Sequence, residues 1–177
     1  MKNPMFDRQH LKEYFLYGSI AALLYMVPVI YFLYNHKYEN LYYLYIGCFL
    51  FMVSIFYYNY KLLDRQFDRK RAVSMLISGH LAVLAGIILA CLFVIVSMLF
   101  AFPDLFSNMP PEQVIPNAND TNKIGNPGYL LLMILSTATI GNFGTGSFIS
   151  LLITYAGKRD QTKDKPTNLE VRIPRQK

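Results

Sequence analysis

Residues 72–102 read AVSMLISGHLAVLAGIILACLFVIVSMLFAF, a run with no Asp, Glu, Lys or Arg. A helix needs about 20 mostly apolar residues to cross the hydrocarbon core of a bilayer. This run exceeds that length and reads as a membrane-spanning helix. Three more uncharged apolar stretches lie on either side of it, at residues 14–34, 41–60 and 128–156. Backbone groups in lipid must be satisfied within their own segment, which makes these stretches helices. The alternating ten-residue strands of a membrane barrel are not seen. The expected fold is therefore an all-α membrane protein, a bundle of four transmembrane helices over residues 14–156.

The composition agrees. Apolar residues make up 54% of the 177, charged residues 16%, and mean hydropathy is +0.27. An intrinsically disordered chain is excluded, and a soluble globule is disfavoured. The first span is about twice as long as the apolar core of a signal peptide, and its exit, Tyr34-Asn35-His36-Lys37, has no small-residue cleavage pattern. It reads as a retained anchor.

A net charge of +6 suits either nucleic acid or an anionic membrane surface. The placement of the charges favours the membrane. Fifteen of the seventeen cations fall in residues 1–13, in the 61–71 connection and in the tail 157–177, leaving Lys37 and Lys123 for the other side. Cytoplasmic segments carry the excess of Lys and Arg, so both termini are expected in the cytoplasm. The expected partners are the bilayer and anionic headgroups on the cytoplasmic side, with no nucleic acid. Tyr14 and Tyr17 at one end of the first span, and Tyr31 and Tyr34 at the other, fit an aromatic belt at the two interfaces, as do the tyrosines that flank the second span. A tyrosine-lined groove is the alternative.

Spans one and two are joined by residues 35–40 and form a helical hairpin. The outer loop 103–127 holds five prolines and a glycosylation-type tripeptide Asn119-Asp120-Thr121, and is expected to be a solvated, mobile loop; the alternative is a cap across the outer face formed by Leu105, Phe106, Met109, Val114 and Ile115. Pro28 is expected to kink span one. Small residues repeat at helical spacing in span three (Ser78, Ala82, Gly86, Ala90). Span four has two adjacent stripes, Thr137-Gly141-Thr145 and Ala138-Asn142-Gly146-Ser150. Small residues let helices approach closely in lipid, so spans three and four are expected to pack on each other, or one of them on a second copy.

Little chemistry is offered. His10, His36 and His80 fall at different levels of the expected topology, and Cys48 and Cys91 show no disulfide or metal-ligand spacing. Catalytic, metal-binding and cofactor-binding residues are not found, and no cofactor is expected. The glycine-rich run 141–147 has neither the Lys of a phosphate loop nor the spacing of a nucleophile elbow. What remains is a candidate intramembrane polar cluster of His80, Asn142, Thr145, Ser147 and Ser150. An imidazole in lipid should face the bundle and find a partner, here on span four. A structural donor and a proton relay both remain open for His80.

Three features together resemble the small uncharacterised four-span inner-membrane proteins of Bacteroidota, a family of unknown function. They are the Tyr-rich hairpin ending Tyr57-Tyr58-Asn59-Tyr60-Lys61, the basic connection after it, and the final span ending GSFISLL (146–152) before Lys158-Arg159. The resemblance covers residues 14–160 and implies a multipass protein of the bacterial inner membrane, with no catalytic residues to carry over. The plan also looks like that of tetraspanins, but the long outer loop lacks their cysteines. The expected function is a structural or accessory subunit of a membrane complex, not an enzyme, with a membrane-protein partner or a homo-oligomer. The alternative is a small oligomeric channel or transporter with a polar path along spans three and four.

Overall fold

The computed structural model describes residues 8–35, 38–63, 72–103, 105 and 127–163. Apart from Phe102, Pro103 and Leu105, the chain is helical throughout these residues. Helix α1 spans Arg8–Asn35, a short 3-10 turn (Tyr38–Leu41) leads into α2 (Tyr42–Leu63), and α3 spans Ala72–Ala101. A last rod consists of α4 (Pro127–Ser136), a π-helical turn (Thr137–Gly141) and α5 (Asn142–Lys163). Four of these stretches are long and apolar enough to cross a membrane: His10–Asn35, Glu39–Leu63, Val73–Ala101 and Pro127–Gly157. Among the described residues there is no strand. The sequon at 119–121, most of the outer loop, the 64–71 connection, His36 and the tail beyond 163 lie outside the described residues.

The four rods run up, down, up and down. The basal end is where α1 begins and α5 finishes; the apical end holds the α1–α2 turn and the start of α4. In cross-section α1 packs beside α2 and α3, and α5 packs beside the same two helices. α2 and α3, consecutive in the chain, therefore sit diagonally, as do α1 and the last rod. At the α1–α3 seam two backbones meet directly. A Cβ on Gly18 would lie 2.8 Å from the Gly86 backbone nitrogen and 3.0 Å from the Ala82 carbonyl oxygen. Only glycine lets two backbones meet this closely.

The span-three stripe thus has a different partner from the one expected. Ser78, Ala82 and Gly86 seat α1, not the last rod. The last rod meets α3 through Gly146, whose missing Cβ leaves room for Val83, and through Ser150 against Gly79. Helical spacing marks a face for close packing but does not name the helix it receives.

Side chains reach across both diagonals to fill the axis. Tyr25 extends from α1 to the last rod, the Phe51 ring from α2 reaches Gly86, and Asn59 from α2 reaches Gly79. Toward the apical end the core is apolar, built from Val29, Phe32, Leu33, Val94, Met98, Leu130 and Ile134. Leu105, one of the residues of the alternative cap, is partly buried against it. Pro28 lies inside α1, which stays helical through it.

The aromatic belt needs correcting as well. Tyr31, Tyr34, Tyr42, Tyr45, Tyr57 and Tyr60 are exposed, as a belt requires, but Tyr14, Tyr17, Tyr25 and Tyr58 are buried in the core. Both sets lie on the same two helices, and helix rotation sorts them.

Candidate functional site

Two polar features interrupt the apolar interior. The first is a knot in the basal half where three helices meet. Asn59 Nδ2 donates to the Ile55 carbonyl on its own helix (2.9 Å) and to Ser150 Oγ on α5 (3.1 Å). Ser150 Oγ donates in turn to the Gly146 carbonyl (2.9 Å). Gly79 of α3 closes the knot, because a Cβ there would come within 2.6 Å of Asn59 Oδ1 and 2.7 Å of Ser150 Oγ.

Beside the knot, the Tyr14 and Ser78 hydroxyls share a 3.1 Å hydrogen bond that ties α1 to α3. The Tyr58 ring stands edge-on to Tyr14 and lies 5.0 Å from the Tyr17 ring, centroid to centroid. Ser54 Oγ donates to the Tyr17 carbonyl (3.4 Å), and the Lys61 ammonium donates to Tyr17 Oη (3.3 Å) from the solvent side of its ring.

The second feature is the π-helical turn. A π-turn winds one extra residue into the rod, so everything beyond it is rotated by about one residue, roughly 100°. The turn decides which of the two small-residue stripes faces the core. Ala138, Asn142, Gly146 and Ser150 are buried, while Thr137, Gly141 and Thr145 are half-buried at the flank. Local hydroxyls support the distortion. Thr137 Oγ1 donates to the Met133 carbonyl (2.8 Å) and Thr139 Oγ1 to the Leu135 carbonyl (2.8 Å), a pattern that bends helices. The Asn142 N–H passes over Ala138, its regular partner, and goes to the carbonyls of Thr137 and Thr139.

The expected polar cluster is therefore divided. Ser150 belongs to the basal knot. Asn142 lies at the bundle centre, fully buried, with neither amide atom hydrogen-bonded among the described residues. Thr145 Oγ1 bonds the Gly141 carbonyl of its own helix (3.0 Å), and the half-buried Ser147 hydroxyl has no partner among the described residues. His80 differs from expectation. Its Nδ1 donates to the Leu76 carbonyl one turn back (2.9 Å), and on span four its ring stands at a steep angle to the Phe143 ring, 6.3 Å away centroid to centroid. Removing a bond within one helix does not unlock a neighbour. His80→Leu and His80→Gln should both melt within about 1 kcal/mol of wild type in detergent, as read by a thermal unfolding assay.

Asn59, Ser78 and Tyr14 lie outside the expected polar cluster; the sequence suggests Ser78 only as a packing residue and Tyr14 only as a belt residue. Asn59 carried a usable signal, since an amide inside an uncharged span must find a partner. Its bond to Ser150 is testable by a double-mutant cycle. Asn59→Ala and Ser150→Ala should couple by about 0.6 kcal/mol, the average for such interhelical bonds. Strict additivity of the two melting shifts would mean that the bond contributes nothing.

The two features consist of neutral hydroxyls and amides. They suit helix registration and the binding of small neutral polar groups; among the described residues no cluster of three or more His, Cys, Asp or Glu is placed to hold a metal. No family model, curated protein or solved structure matches the chain.

Proposed function

We propose that the protein is a multipass membrane protein of the bacterial inner membrane that acts by assembly, as a structural or accessory subunit of a membrane complex. The observation that carries this reading is the filling of the bundle axis. From Tyr25 to the apical end the axis is occupied by Val29, Phe32, Leu33, Val94, Met98, Leu130 and Ile134, while the polar side chains lie at the centre and the basal half. Among the described residues, a single chain packed this way shows no polar path from end to end. It does offer long apolar faces, including Leu84, Ile88, Leu92 and Val96 on α3, to lipid and to neighbouring proteins. Fifteen of the seventeen cations fall in residues 1–13, 61–71 and 157–177 of the sequence, a bias that suits anionic headgroups.

Cross-linking in native membranes followed by purification tests the proposal. A partner recovered in fixed stoichiometry is the expected result. A chain recovered only as itself, whose purified oligomers pass ions or solutes across liposomes, would overturn it and favour the channel reading.

Orientation has its own test. Reporters fused after residues 66 and 177 should report cytoplasm, and one after residue 115 the outside. A tail reporting outside would reverse the assignment of the basal end.

A further inference from the structure

We propose that Asn142 is a binding site for ordered water at the centre of the bundle, created by the π-helical turn. Asn142 is fully buried, and both its Nδ2 and its Oδ1 lack a hydrogen-bond partner among the described residues. It stands midway along the last apolar rod, fifteen residues from each end of Pro127–Gly157. No other amide there has both ends unpaired: Asn59 Nδ2 makes two bonds. A buried amide left unbonded is costly, and helix distortion adds to that cost. Relaxing the π-turn to a regular helix would rotate Asn142 away from the axis and bring the Thr137-Gly141-Thr145 stripe inward. The structure keeps the distorted turn and the inward amide together, so the amide must gain something there.

The chemistry of the occupant follows from the surroundings. It must donate to Oδ1 and accept from Nδ2, so it carries both functions. It must be neutral. The apolar spans contain no Asp or Glu to balance a cation and no Lys or Arg to balance an anion. A bare cation would also leave Nδ2 without an acceptor. It must be small, because Asn142 has no exposure to either end of the bundle or to the flanks. Water meets all of these conditions, and buried waters serve this role for unsatisfied groups in protein interiors. Ala138, the neighbouring position of the buried stripe on the apical side, carries only a methyl group. Val83 fills the gap left by Gly146 on the basal side. The Val83 side chain at Gly146, between positions 142 and 150 of the stripe, separates the site from the Asn59–Ser150 knot, so it is not a stage of a continuous path.

The test uses the full chain in lipid bilayers, labelled with 15N at asparagine and glycine, and reads magnetisation transfer from water protons by solid-state NMR. Asn142→Leu identifies the Asn142 side-chain signal by its disappearance. Transfer from water to Asn142 Nδ2 is expected in the wild type, together with transfer to the backbone N–H of Gly141 or Gly146. In Asn142→Leu the transfer to those glycines should be lost. An Asn142 side chain that stays dark to water while solvent-facing asparagines light up would overturn the proposal. So would glycine signals that still see water in the leucine variant, since the water would then be held by something else. If Asn142→Leu fails to fold, Asn142→Ser takes its place, and the wild-type measurement decides by itself whether the amide is hydrated.

Discussion

Gly18→Leu should leave little folded protein in detergent. The α1–α3 seam at this level is backbone against backbone: a Cβ on Gly18 already lies 2.8 Å from the Gly86 nitrogen, 3.0 Å from the Ala82 oxygen and 3.1 Å from the Ala85 methyl. A flexible side chain can swing away from an intruder, but a backbone in a helix cannot. Room for leucine requires α1 and α3 to separate along several turns, which would also break the Tyr14–Ser78 bond lower on the same seam. Overpacking a well-filled core costs about 1–3 kcal/mol, and this site lacks the usual means of relief, so the upper end or beyond is expected. Gly86→Leu attacks the same seam from the other side, where the added group would meet the Phe51 ring at 2.8 Å and the Gly18 carbonyl at 3.1 Å. Gly144→Ala is the control, because a Cβ there meets nothing within 4 Å. It should melt like wild type or slightly higher, alanine being the better helix former. Equal melting of Gly18→Leu and Gly144→Ala would mean that the seam does not exist.

This seam also shows how much of the molecule could be read in advance. The helices were legible because each needs only local information, an uncharged apolar run of sufficient length. The stripe Ser78-Ala82-Gly86 was legible as a packing face, but its partner was not, since every neighbouring helix in such a bundle presents apolar surface of similar chemistry. Spans three and four do pack on each other as expected, through Val83 against Gly146 and Gly79 against Ser150, but Ser78, Ala82 and Gly86 seat α1. The tyrosines fail in the same way. Tyr57 and Tyr58 are consecutive in the sequence, yet the first is exposed and the second buried. Only the rotation of α2 distinguishes them, and that rotation is set by tertiary contacts. The candidate site was half legible. Asn142 and Ser150 stood out as polar residues in an apolar span, and both turned out to be buried. Which of the two stripes on span four faces inward depends on a single π-turn, and nothing in the residues 137–141 announces one. His80 attracted attention by its chemistry, but an imidazole can satisfy itself on its own helix, as it does at the Leu76 carbonyl.

The second large effect is expected at Tyr25, the side chain that joins three of the four rods. It arises from α1 and is fully buried. Its ring lies against Gly47 of α2, and its hydroxyl donates to the Ile134 carbonyl of α4 at 3.3 Å. Tyr25→Phe removes only the hydrogen bond and should cost about 1 kcal/mol or less. Tyr25→Ala removes the ring as well. Truncating a buried aromatic to alanine costs about 3–5 kcal/mol where the surroundings cannot collapse, and here the walls are helices held by the rest of the bundle. The comparison separates packing from hydrogen bonding, with most of the loss assigned to packing. Gly47 supplies an independent check. A Cβ on Gly47 would lie 2.9 Å from the Tyr25 ring and 3.0 Å from its carbonyl oxygen, so Gly47→Val should destabilise the wild type. In the Tyr25→Ala background the ring is gone and the valine occupies part of its space, although the carbonyl contact remains. The double variant should therefore melt well above the sum of the two single losses. Simple additivity would show that residues 25 and 47 do not share this space, and the placement of Tyr25 on the bundle axis would fall with it.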